Sequence, residues 1–251
     1  MAHKAAIRRS VLALAGALPM MLPVTAAAAG TTLNAPMSGA ISHVFHSTSS
    51  NWSGYAVTGK KFTSVSASWI QPAATCSSKT TYSSFWVGLD GDGSNSVEQT
   101  GSEVDCSGGR ASYYSWYEMY PAYPVNFSNT VRPGDHFTGS VTFNGGSSYT
   151  LKLSDTTRGW SHTINASLSG AANSSAEVIA EAPCCTASGG ILPLANFGTV
   201  HVTGSMANGA ALGNAGGVTQ IIMIDSAGRD KDTVSSLTSG ENFTATWLRS
   251  N

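Results

Sequence analysis

The amino-acid sequence predicts an all-β fold: a β-sandwich of two antiparallel sheets, concanavalin- or jelly-roll-like, forming a single domain. Three observations lead there. Charged residues are only 11% of the chain and apolar residues 41%, with abundant Ser, Thr and Gly. That composition lacks the Glu/Lys/Ala bias of helical proteins and is too apolar for disorder. Short alternating or apolar runs recur between Gly, Ser, Asn and Asp clusters, which is the rhythm of strands and turns. No stretch sustains a helical period, and no internal repeat is evident.

Taken in order, residues 1–29 place Lys4, Arg8 and Arg9 ahead of an apolar run from Val11 and end in small residues near Ala27 to Ala29. This is the pattern of an export signal, with the general and twin-arginine routes both open. Residues 30–49 show no sustained period and read as a flexible arm or short pro-segment. Residues 50–251 form the predicted domain, long enough to bury a large core. Strands are expected within 51–57, 65–70, 83–91, 97–101, 113–121, 136–146, 148–155, 161–168, 176–183, 199–206, 219–228 and 242–248. Each is an alternating or β-branched and aromatic run closed by turn residues.

The expected product is a secreted monomer that makes no membrane contact once the signal is removed, since no later stretch approaches the roughly 18 apolar residues of a spanning helix. The 13 basic residues less the three in the signal leave 10 against 14 acidic ones, a formal charge of about −4. Nucleic acid is therefore not an expected partner. Four cysteines in an exported chain favour disulfides over metal sites. Three pairings are open; Cys76 and Cys106 flank a strand-turn-strand region and are the favoured bridge. Cys184 and Cys185 could pair with each other, bridge to another chain or stay free.

Period-two alternation assigns faces. In "AEVIAE" (176–181) Glu177, Ile179 and Glu181 share one side. In "YYSWYEMY" (113–120) Tyr114, Trp116, Glu118 and Tyr120 share a side, and in "VEQTG" (97–101) Gln99 lies opposite Glu98. A face carrying Trp, Tyr, Glu and Gln is unlike a core face and suits a groove for an extended peptide or glycan. Common hydrolase signatures are missing: there is no G-x-S-x-G elbow, no H-E-x-x-H helix and no paired D-[ST]-G loop. "DGDGSN" (90–95) begins like a calcium loop, but its twelfth position is Gly101 instead of glutamate. No cofactor or metal is expected.

The segments "NWSGYAV" (51–57), "FWVGLDGDGSNSVEQTGSEVDC" (85–106), "YYSWYEMYP" (113–121) and "AEVIAEAP" with "LPLANFGTV" (176–200), in that order, closely resemble the glutamic peptidases, or eqolisins. The resemblance covers most of residues 50–248. It implies a two-sheet β-sandwich and acid endopeptidase activity on polypeptide substrates, insensitive to pepstatin. The catalytic dyad it implies is Gln99 and Glu181. Trp52, Trp86 and Asp90 fall on the family's supporting positions, with Glu118, Tyr120 and Tyr123 as further binding or supporting candidates. Val178 departs from the family's usual tryptophan, and Ser115 from an aspartate of the fungal members.

The chemistry suits these residue types. Peptide hydrolysis needs a base for water, donors for the oxyanion and an acid for the leaving nitrogen. A glutamate alternates between the first and third roles. An amide offers an acceptor and two donors without adding a charge that would disturb the carboxylate. An ordinary glutamate titrates near pH ~4.3, which places expected activity at roughly pH 2–5. A glycoside hydrolase or lectin-like sandwich is the alternative; it would use paired carboxylates or aromatic platforms and would not need Gln99.

Overall fold

The structure is a computed structural model that describes residues 44–184 and 190–251. The expected export signal, the first part of the expected arm, and Cys185 lie outside the described residues.

Among the described residues sixteen strands form two sheets. In chain order they are β1 (Val44–Ser49), β2 (Trp52–Thr58), β3 (Ser64–Ile70), β4 (Thr81–Leu89), β5 (Val97–Ser107), β6 (Arg110–Tyr120), β7 (Val125–Asn126), β8 (His136–Gly145), β9 (Ser148–Asp155), β10 (Trp160–Ser167), β11 (Ala176–Glu181), β12 (Thr199–Ala207), β13 (Ala210–Ala211), β14 (Gly217–Met223), β15 (Asp232–Val234) and β16 (Phe243–Trp247). The first sheet runs β1-β14-β2-β11-β4-β5-β6-β7; the second runs β10-β9-β8-β3-β12-β16-β15, with β13 beside β12. Apart from a short 3₁₀ turn at Leu212–Asn214, the described residues contain no helix. None could therefore cross a membrane as a helix.

Alternation builds the core. Val57, Phe85, Val87, Leu89, Val104, Val178 and Ala180 of the first sheet meet Val65, Trp69, Phe137, Val141, Leu151 and Val200 of the second. Ring pairs reinforce the contact: Tyr55 packs edge-on to Phe243 with centroids 5.0 Å apart, and Phe85 to Phe197 at 5.3 Å. Polar ties also join the two sheets, among them Ser53 Oγ to Asp232 Oδ2 and, in the middle of the interior, Trp69 Nε1 to Ser102 Oγ at 2.8 Å. The Trp69 bond satisfies an indole N–H that burial would otherwise strand.

The Cys76–Cys106 bridge is present, with Cα atoms 5.3 Å apart. It anchors the loop before β4 to the far end of β5. The first sheet already includes Val44–Ser49, ahead of the predicted domain boundary at residue 50. Every residue of β1 finds a parallel register partner on β14, from Val44 opposite Val218 to Ser49 opposite Met223. That partner lies more than 170 residues away in the chain, where no local periodicity could announce it.

Candidate active site

β11 lies between β2 and β4, and β5 between β4 and β6, so the residues that leave the first sheet on its outer face fall into cross-strand rows. Trp52, Glu181, Ser84, Glu103 and Tyr114 are successive register partners and form one row. Gly54, Ile179, Trp86, Gly101 and Trp116 form a second. A third comprises Ala56, Glu177, Gly88, Gln99 and Glu118. Ala56, Trp86, Trp116, Ile179 and Ile221 make a small apolar cluster on this face, with Trp52, Val97 and Tyr114 packed against it. The polar groups of the face are embedded in that cluster.

Trp86 is the centre of the arrangement. Its ring packs edge-on to Trp52 with centroids 5.0 Å apart. Room for it comes from glycine: a Cβ on Gly101 would lie 2.6 Å from Trp86 Cβ and 2.3 Å from the Phe85 carbonyl oxygen. The glycine of the "QTG" segment is thus required by close packing.

Glu181 is half-buried at the end of β11. Trp86 Nε1 donates to its Oε2 at 2.7 Å, and Asn51 Nδ2 to its Oε1 at 3.0 Å. Burial pushes its pKa up to about 7; the Trp86 donor opposes that rise, and the charge of Glu118 adds to it. Gln99 is 7% exposed and donates through Nε2 to Glu118 Oε2 at 2.6 Å. That bond fixes the amide's orientation, and Gln99 Oε1 has no hydrogen-bond partner within the described protein. Burial raises Glu118 to about 7 as well, against the opposing effect of the Gln99 donor.

Glu103 is a buried neighbour that the sequence reading did not single out. It accepts from Ser84 Oγ at 3.2 Å, and Tyr114 Oη donates to nearby Asp105 Oδ2 at 3.1 Å. Burial, then the charges of Asp105 and Glu181, hold Glu103 well above the carboxylate range. The Glu103–Ser84–Glu181 adjacency could be recognised only after the strands were paired. Asn51 was likewise missed as a site residue, although its place beside Trp52 in "NWSGYAV" was a usable signal.

The other predicted residues divide. Trp52 and Trp86 line the face with Glu181. Asp90, fully buried in the turn after β4, reaches away from it: Oδ2 accepts from the Asn173 N–H at 2.7 Å and Oδ1 from the Ser174 N–H at 2.8 Å. It therefore pins the segment that leads into β11. Tyr120 closes β6 on the same face as Glu118, half-buried, and precedes a cis peptide to Pro121. Tyr123 is 62% exposed in the following loop and joins no contact of the cluster described here. Glu177, on the Gln99 row, is fully buried; burial, then Ser175 opposing it and Asp92 adding to it, leave it raised well above the carboxylate range.

Among the described residues no group of three or more His, Cys, Asp or Glu side chains could hold a metal ion. A buried or half-buried set of carboxyls with an amide and three indoles can do proton-transfer chemistry on an extended chain laid across the strands.

Comparison with known proteins agrees with that chemistry. The peptidase A4 family matches residues 50–247. Aspergillopepsin-2 of Aspergillus niger is 30% identical over 169 residues, covering 64% of this chain. The match spans 58% of that relative's length. Scytalido-glutamic peptidase, solved with a transition state analog inhibitor, superposes with a TM-score of 0.68 at 25% identity, over 79% of this chain and 98% of that one. Aspergilloglutamic peptidase from Aspergillus niger gives a TM-score of 0.58 at 27% identity, over 67% of this chain and 99% of that one.

Proposed function

The chain belongs to the peptidase A4 family, the glutamic peptidases, and from that premise we propose that it is an exported acid endopeptidase cleaving extended polypeptides by a water that Glu181 and Gln99 activate. The observation that carries this reading is the placement of both residues on one sheet face, each oriented by hydrogen bonds: Gln99 by Glu118, and Glu181 by Trp86 and Asn51.

In this reading ionised Glu181 takes a proton from water as it attacks the scissile carbonyl carbon. The proton then passes from Glu181 to the leaving nitrogen as the C–N bond breaks. Gln99 directs the water through Oε1 and offers its second N–H to the oxyanion. Glu118, already holding the first N–H, keeps the amide from rotating. A Glu181 pKa of about 7 has two consequences. The ionised carboxylate is a stronger base than an ordinary one, and the acid it becomes on taking the water's proton is the donor the leaving amine needs. Activity is expected to rise with pH as Glu181 ionises and to fall again as pH passes about 7, where Glu118 loses its proton and sets a second charge beside the dyad.

Export rests on the basic, apolar and small-residue sequence of residues 1–29, and a monomeric working form completes the reading. The glycan alternative is not favoured, because the family and the matched solved structures are peptidases. The test is cleavage of an acid-denatured protein across pH 2–8 with pepstatin present. Glu181→Gln and Gln99→Ala should each lose roughly 10²-fold or more in kcat/KM while remaining folded. Proteolysis that survives in both variants, or that peaks above pH 8, would exclude the dyad.

A further inference from the structure

The dyad leaves unexplained why the first sheet carries β1. The strand is an edge, its residues are mostly exposed, and Phe45 is 60% exposed, so it contributes little to the core. Its last residue has a different role. Ser49 Oγ accepts from the Trp52 N–H at 3.1 Å and the Asn51 N–H at 3.3 Å, and lies 3.2 Å from Asn51 Oδ1 as donor. One hydroxyl therefore closes the turn between β1 and β2 and orients the Asn51 amide. With Oδ1 held by Ser49, Nδ2 is the end of that amide directed at Glu181 Oε1. The Asn51 carbonyl also accepts from the Ala182 N–H at 2.8 Å, so Asn51 holds the catalytic strand by its backbone as well as its side chain. Ser49 is itself fixed to the sheet, because its carbonyl accepts from the Ile224 N–H at 2.8 Å.

We propose that Asn51 is a positioning residue for Glu181 and that β1, through Ser49, holds Asn51 in place, so that Val44–Ser49 is part of the working enzyme and not a removable leader. The proposal rests on the reading of Glu181 as the acid/base. A neutral amide donor suits this position. It stabilises the carboxylate without the competing ion pair that a lysine would form, beside a face already carrying Glu118 from β6 and Glu103 from β5. Trp86 and Asn51 occupy different oxygens of Glu181, so the two donors together set the plane of the carboxyl.

The test is the pH dependence of kcat/KM in the full chain for Asn51→Ala, Ser49→Ala and Ser49→Thr, beside Glu181→Gln. Asn51→Ala should lower kcat/KM about tenfold or more, the usual effect of losing a hydrogen bond to a charged group. It should also move the limb that reports Glu181 upward by about one pH unit, because a donor to the carboxylate has been removed. Ser49→Ala should shift the same limb in the same direction by less, and Ser49→Thr, which keeps the hydroxyl, should restore it. A merely structural loss would lower activity without moving the limb. Should Asn51→Ala fail to fold, the two Ser49 variants carry the test alone. An unmoved limb in Asn51→Ala, with Glu181→Gln inactive, would overturn the proposal and leave the dyad standing; full activity in Glu181→Gln would overturn both. Intact mass of the active protein should place its first residue at or before Val44, and an active form beginning after Ser49 would overturn the role of β1.

Discussion

The two sheets share one core but turn different outer faces to the surroundings. The outer face of the second sheet is a ladder of hydroxyls: Ser68 with Thr138 at 2.9 Å, Ser154 with Ser161 at 2.8 Å, Thr199 with Thr246 at 3.0 Å. These are small cross-strand contacts in water, each worth a few tenths of a kcal/mol to about 1 kcal/mol. The outer face of the first sheet holds Trp52, Trp86, Trp116, Gln99 and four glutamates. All four are raised by burial, Glu181 and Glu118 to about 7 and Glu103 well above the carboxylate range. Glu177 on the third row is raised well above it too. Both faces arise from the same alternation. What separates them is that large rings on one face exclude water from its acids, and so give them chemistry that an exposed acid lacks.

Replacing Gly101 with Ala should break this comparison most severely. The added methyl would collide with the Phe85 carbonyl and the Trp86 side chain. Overpacking costs typically 1–3 kcal/mol, and displacing Trp86 also removes a donor to Glu181. A fall of roughly 10²-fold in kcat/KM, with a lowered denaturant midpoint, is expected; wild-type behaviour would show that the ring is not confined as described.

The next effect is on stability and pH. Glu98, fully buried and facing the core, is raised to about 8 by burial and by the charge of Asp90. Asp232 is raised to about 6 and Glu118 and Glu181 to about 7, burial being the first cause in each case. A group whose pKa is higher folded than unfolded stabilises fully below its unfolded value and loses that contribution as pH rises through the folded one. The protein should therefore be most stable in acid, below pH ~4.5, and weaken progressively up to pH ~8. Glu98→Gln, which cannot ionise, should flatten the upper part of that decline by a few kcal/mol. Urea midpoints measured from pH 3 to pH 8 check both statements, and a midpoint that rises with pH would contradict them.

The smallest effect sharpens the contrast from the other side. Ser68→Ala with Thr138→Val removes one rung of the hydroxyl ladder and should change stability by about 1 kcal/mol or less. Its pH–activity profile should overlie that of the wild type. A shifted profile would mean that the second sheet communicates with the carboxyl cluster.

Much of this was legible in the linear chain, for a reason that particular residues make plain. Alternation is local: from "AEVIAE" alone Glu181 and Ile179 share a face with Glu177, and from "VEQTG" Gln99 faces away from Glu98. Strand positions, the likeness to the glutamic peptidases and the Cys76–Cys106 bridge followed from such local patterns. The neighbours across the strands did not. That Ser84 and Glu103 stand in line with Glu181, that Glu118 holds Gln99, and that Asn51 reaches Glu181 across 130 residues of chain depend on which strand lies beside which. The same holds for β1, whose parallel partner is β14. The sequence by itself determined which side chains leave each strand on which face, because the backbone pleat sets that residue by residue. Only the tertiary structure decided which of them meet and how far burial shifts their protons, because pairing and desolvation belong to the assembled sheets.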